Sequence, residues 1–141
     1  KDPYVEEPPL TAAAAALNLE LVQALLAANA PADGLDDGSD TPLLAAIAAG
    51  PADAEDALKI VNALLAKGAN VNRRAKDGRR PLHLAAGRGQ EAIVKALVAK
   101  GARLDDEVNG TTPLEAAEDG GHQDVAKLLI AKGAKKKKPA P

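Results

Sequence analysis

Two histidines, His83 and His122, and the carboxylate pairs Asp36-Asp37 and Asp105-Asp106 are the side chains whose types suit acid–base or metal chemistry. Neighbouring carboxylates can hold a cation or divide the roles of acid and base, and histidine titrates near neutrality and ligates zinc. The spacing argues against both uses. The histidines fall at different points of a repeating pattern, and with no cysteine in the chain they make a poor zinc site. The acidic pairs lie in polar connectors, where solvated surface is the expected state. No glycine-rich phosphate loop follows a strand pattern. The expectation is a chain without enzymatic activity, cofactor or metal.

A second pattern of charge is more usable. Asp33, Asp36, Asp37 and Asp40 make one connector acidic, Arg73, Arg74, Lys76, Arg79 and Arg80 make the next basic, and Asp105, Asp106 and Glu107 return to acidic. Two readings stay open. Adjacent connectors can neutralise one another through exposed ion pairs worth about 0 to 1 kcal/mol each. Alternatively, the bands select a partner of opposite pattern, chiefly through specificity and association rate.

The elements that position these charges recur. A Pro-Leu step stands at Pro9-Leu10, Pro42-Leu43, Pro81-Leu82 and Pro113-Leu114, at intervals of 33, 39 and 32 residues. Each step is followed by a short alanine-rich stretch, a second apolar stretch and a turn residue. Proline suits the first turn of a helix, where its missing N–H costs no internal bond. The third unit then runs through Ile93, Val94, Leu97 and Val98 at helical spacing to Gly101. Gly68, Gly101 and Gly133 close their helices, and Asn29 stands in the same place in the first unit, as expected of a left-handed cap. The units are read as about 9–40, 41–79, 80–111 and 112–134, with lead-in 1–8 and a Lys/Pro tail 135–141 expected to be disordered. Six extra residues around Gly50 to Ala57 lengthen the second unit, either in its inter-helix loop or as a turn on its second helix.

Composition agrees with one elongated all-α domain. Of 141 residues, 46% are hydrophobic and 27% charged, with a net charge of -2. No apolar run reaches the roughly 20 residues that span a bilayer, and no signal peptide is visible in residues 1–10. A monomer is expected, cytoplasmic or recombinant, with neither membrane nor nucleic acid as partner. Cysteine, methionine, tryptophan and phenylalanine are all absent, and Tyr4 is the one aromatic residue. That idealised alphabet points to an engineered or computed sequence.

These units resemble the ankyrin repeat family, whose period near 33 and Thr-Pro-Leu-His-x-Ala signature match Pro8 to Ala134 in outline. Only the third unit keeps the signature histidine, as Arg80-Pro81-Leu82-His83; Thr11, Leu44 and Glu115 replace it elsewhere. The resemblance implies a solenoid of four antiparallel helix pairs with projecting hairpin-like turns, stabilised by stacking of each unit on the next. It implies binding of a protein or peptide by the turn tips and the exposed face of each first helix. Carried over by position, the binding residues would be Asp37, Asp40, Ala48 and Ala49; Lys76, Asp77, Arg79, Gly87 and Arg88; and Val108, Asn109, Thr111, Asp119 and Gly120. A repeat fold made as a stability or assembly test, and a natural regulatory or effector protein, are the alternatives. The first is favoured by the lack of aromatic anchors, the second by the irregular repeats.

Overall fold

A computed structural model describes residues 9–34, 41–49, 55–74 and 78–135 of the chain. Its helices form four pairs: α1 (Pro9–Ala15) with α2 (Leu19–Ala27), α3 (Pro42–Ala49) with α4 (Glu55–Ala66), α5 (Pro81–Gly87) with α6 (Glu91–Ala99), and α7 (Pro113–Asp119) with α8 (Gln123–Ala131). Each pair packs on the next, so that α1, α3, α5 and α7 form one layer (the inner layer) and α2, α4, α6 and α8 the other (the outer layer). This is the all-α repeat solenoid expected from the sequence. Among the described residues the nearest thing to a strand is an isolated antiparallel bridge between Val108 and Thr111.

Local chemistry explains the helix ends. Proline opens every first helix. Where threonine precedes it, a cap is added. Thr112 Oγ1 accepts from Glu115 N at 3.2 Å while the Glu115 carboxylate accepts from Thr112 N at 3.3 Å, a reciprocal capping box. Thr41 Oγ1 accepts from Leu44 N at 3.2 Å. Arg80 caps α5 with no side-chain bond to the helix. At the far end of each second helix, Asn29, Gly68, Gly101 and Gly133 have φ of 67°, 90°, 94° and 111°. The lone asparagine therefore serves as the glycines do, in the left-handed region it tolerates better than most residues.

The long second unit spreads its extra residues. α4 has 12 residues where α2, α6 and α8 have 9, and α3 has 8 where α5 and α7 have 7. Three residues, just under one turn, are thus added to the start of α4, with Glu55 and Asp56 in its first turn, where acidic groups meet the positive end of the helix dipole. Residues 50–54, the rest of the insertion, lie outside the described residues, as do the lead-in and residues 136–141 of the tail.

The core runs through every pair. Leu43, Leu44, Ile47, Ile60, Leu64, Leu97, Leu114 and Leu129 are fully buried, and truncating one such residue to alanine typically costs about 2 to 5 kcal/mol. Ala13, Ala14, Ala46, Ala85, Ala86 and Ala117 are buried too, and their small side chains let the first helices approach closely.

Stacking also sets a register of faces. Two residues after each helix-starting proline stand Thr11, Leu44 and His83, all buried, and then Glu115, half-buried. Five after it stand Ala14, Ile47 and Ala86, all buried, and then Glu118, exposed. A position covered in three units and bare in the last is one that the following unit covers. These two positions therefore face forward along the stack.

Candidate functional site

The side chains that could do chemistry are held by the backbone. His83 Nε2 donates to the carbonyl of Asp106 at 2.8 Å, tying α5 to the turn that follows its unit. Its Nδ1 is buried without a partner. Burial holds the imidazole pKa below its ordinary value of 6.5, with Arg80 acting in the same direction, while the backbone of Asp106 and Thr111 and the charge of Asp106 pull the other way. His122 Nε2 donates to the carbonyl of Gly87 at 3.0 Å, joining the start of α8 to the end of α5. At the equivalent place one unit earlier, the fully buried Gln90 donates from Nε2 to the carbonyl of Ile47 at 3.0 Å. The polar residue before each of these second helices is a stitch between units.

Asp105 is exposed, as expected of a turn carboxylate, whereas Asp106 is half-buried. Asp106 Oδ2, shut off from water, lies 3.3 Å from Arg80 Nη1 and 3.7 Å from Arg103 Nη1. Arg80 Nη1 also donates to the carbonyl of Asn72 at 3.2 Å. Asp105 Oδ1 accepts from Lys135 N at 3.4 Å. The last bond belongs to a series: Asp33 Oδ1 accepts from Asn70 N at 2.8 Å, and Asn72 Oδ1 from Arg103 N at 2.9 Å. Each acceptor stands four residues after a left-handed cap, and each donor two residues after the next one. This ladder of carboxylate or amide oxygens is periodic in the sequence, but the charge of the connectors alone does not reveal it. Of the two readings of the charge bands, mutual neutralisation of adjacent connectors describes the Arg80–Asp106 contact, while Arg103 pairs with Asp106 within one turn.

The expected binding residues fall into two rows. In the first, at the ends of the inner-layer helices, Ala48 and Ala49 are exposed on α3, Gly87 is half-buried and Arg88 exposed at the end of α5, and Asp119 and Gly120 are exposed at the end of α7. Stacking brings these ends together. A β-carbon on Gly120 would lie 2.9 Å from the carbonyl oxygen of Gly87, so glycine there permits close approach of α5 and α7. In the second row, Arg79 is partly buried beside Gly78, and the following turn carries Val108, Asn109 and Thr111. Val108 and Thr111 exchange backbone bonds of 2.9 and 3.0 Å, and Asn109 between them is exposed with φ of 52°. Val108 is half-buried, and a β-carbon on Gly78 would come within 3.8 Å of its Cγ1, which makes it a contact between neighbouring turns. Asp37, Asp40, Lys76 and Asp77 lie outside the described residues.

Two clefts lie on the surface of the described residues. One of about 300 Å³ lies at the unit step between Gly89, Glu91, His122 and Asp124. There His122 is committed to Gly87, and Glu91 pairs with Lys95 at 3.3 Å. The other, of about 280 Å³, is lined by Leu26, Ala27, Ala63 and Ala66 between α2 and α4. Among the described residues no group of three or more His, Cys, Asp or Glu could hold a metal ion, and no helix is long and apolar enough to cross a membrane.

Comparison with known proteins agrees with this architecture. A family model described as "Ankyrin repeats (3 copies)" matches residues 51–140. A protein of Caenorhabditis elegans, "Ankyrin repeat and KH domain-containing protein mask-1", is 41% identical over 101 residues, which is 71% of this chain. The matched span is 4% of that relative's length. The α1–α2 pair lies ahead of the family match yet packs on α3–α4 as the later pairs pack on one another.

Proposed function

We propose that this chain, which belongs to the ankyrin repeat family, is a non-enzymatic module that binds a protein or peptide across its turns and the ends of its inner-layer helices. Ankyrin repeats generally mediate binding between proteins, and the arrangement of groups here favours that use over chemistry. The observation that carries the reading is the row formed by Ala48 and Ala49, Arg88, and Asp119 and Gly120. These residues are exposed at successive helix ends, where small neutral residues give way to a cation and then an anion. A strip of that kind suits an extended or helical segment whose own charges run in the opposite order. Both histidines are engaged with backbone carbonyls, which supports a structural use for them.

The idealised composition supports an engineered origin, whereas a natural relative at 41% identity supports a binding module of natural type. A second reading, a repeat fold without a partner, is favoured by the lack of tryptophan, phenylalanine and methionine, since strong interfaces are usually anchored by aromatic residues or arginine. Capture from a complex protein extract separates them. The immobilised chain is compared with an Arg88→Glu/Asp119→Lys variant and with Lys95→Glu on the outer layer. Capture lost only in the first variant supports the strip. Failure of the unaltered chain to capture anything supports the partnerless fold.

A further inference from the structure

The register of the stack identifies two residues that inner units use and the end units leave bare. Eight residues before the left-handed caps stand Leu21, Ile60, Ile93 and Val125. The last three are 0%, 3% and 2% exposed, but Leu21 is 44% exposed, so this position is covered by the preceding unit. Three residues before the caps stand Leu26, Leu65, Val98 and Ile130. Leu26 and Leu65 are 4% and 7% exposed and Val98 is half-buried, but Ile130 is 47% exposed, so this position is wholly or partly covered by the following unit. Leu21 and Ile130 are the large hydrophobic side chains that stand out as exposed among the described residues. They lie at opposite ends of the array, and each has the role that the other's partner plays inside it.

We propose that the outward faces of α1–α2 and α7–α8 are complementary halves of one head-to-tail contact for a second copy of this chain, and that Glu118, with Glu115, keeps that contact open. The occupant follows from continuity with the interface already present between units. Seating α1–α2 of a second copy on α7–α8 brings together the faces that carry Leu21 and Ile130, at the positions that the buried Ile60 and Leu26 occupy where α4 packs on α2. It also presents the exposed Ala12 of α1, a residue whose counterpart Ala45 is buried between units.

Glu118 opposes this docking. It occupies the forward position that Ala14, Ile47 and Ala86 fill, each fully buried. A seated copy would strip water from its carboxylate, and residues 9–34 of the incoming unit contain no Lys or Arg to meet it. A buried carboxylate without a cation or hydrogen-bond donors is strongly unfavourable. Glu115 adds to the barrier while serving its own helix. Where His83 reaches forward to the next turn, Glu115 folds back onto Thr112 in the capping box. A heterologous contact of this kind does not close on itself, so without the barrier copies would add in an open-ended line.

The test gives the last unit the residues of the first. A Glu115→Thr/Glu118→Ala variant carries at both positions what Thr11 and Ala14 provide in α1. Sedimentation velocity across a concentration series is expected to show the unaltered chain as a monomer and the variant as a growing series of oligomers. Adding Leu21→Lys or Ile130→Lys to that variant should return each protein to a monomer when alone. Mixing the two should give a 1:1 dimer and nothing larger, because one retains only the tail face and the other only the head face. Circular dichroism checks that every variant remains helical. A Glu115→Thr/Glu118→Ala protein that stays monomeric, or oligomers that survive both lysine substitutions, would overturn the proposal. So would head-to-tail assembly of the unaltered chain.

Discussion

Replacing Gly89 by alanine isolates the contact between the third and fourth units. Gly89 and Gly121 hold the same place between the helices of their units, with φ of 73° and 76°. Alanine at either position enters the left-handed region at a cost of about 1 to 2 kcal/mol. Their surroundings differ. A β-carbon at Gly121 would meet nothing within 4 Å, whereas one at Gly89 would lie 2.5 Å from Nδ1 and 2.7 Å from Cε1 of His122. The ring must swing away, and its bond to the Gly87 carbonyl goes with it, adding about 1 kcal/mol. Gly121→Ala is therefore expected to destabilise by about 1 to 2 kcal/mol and Gly89→Ala by about 2 to 3 kcal/mol. In a His122→Ala background the two should become equal, since only strain remains. Urea unfolding followed by helical circular dichroism measures all four, with an unchanged denaturant slope as the sign that cooperativity is intact. Equal losses in the parent background, or no relief from His122→Ala, would refute the reasoning.

Three further outcomes follow from the unit junctions. Because burial lowers the His83 pKa in the folded chain, its contribution to stability is neutral above pH 6.5. Stability then declines as pH falls from 6.5 through the folded value, since the unfolded chain binds a proton that the native chain refuses; a His83→Asn variant should lose that slope in urea titrations at stepped pH. Asn72→Ala removes both the acceptor for Arg103 N and the donor to the Gly101 carbonyl, so a loss of about 1 to 3 kcal/mol is expected. Asn72→Asp, which keeps the acceptor as Asp33 and Asp105 do, should lose less than half as much in the same denaturation assay. Arg80→Ala removes the nearer of the two cations at the water-excluded Asp106 oxygen together with the donor to the Asn72 carbonyl and should cost about 1 to 3 kcal/mol, against no more than about 0.5 kcal/mol for Lys95→Ala, whose pair with Glu91 is exposed; equal effects in thermal unfolding would contradict the distinction.

Local signals make the helices legible in the amino-acid sequence. Proline at a helix start and a left-handed cap at its end act within a turn, so Pro81, Gly101 and even the exceptional Asn29 announce their roles from nearest neighbours. The lengthened second unit is likewise set by spacing along the chain, whereas the proposed strip from Ala48 to Gly120 follows from the family resemblance. Other features depend on contacts 23 to 43 residues distant and do not show in a local window. Asp106 reads as a solvated turn carboxylate until Arg80 is brought beside it. Gln90 reads as surface until Ile47 covers it. Glu118 looks like any exposed helix residue until stacking aligns it with three buried counterparts. The Asp33, Asn72 and Asp105 ladder lies between these cases, since its spacing from the caps is periodic but its donors belong to the next unit.

Hydrogen exchange on the chain bound to a captured partner tests the proposed binding surface most directly. Ordering a partner across the strip should protect the ends of α3, α5 and α7 and the turn from Val108 to Thr111, while the outer faces of α4, α6 and α8 exchange as in the free protein. Protection confined to the outer layer, with Ala48, Arg88 and Asp119 unchanged, would contradict the account.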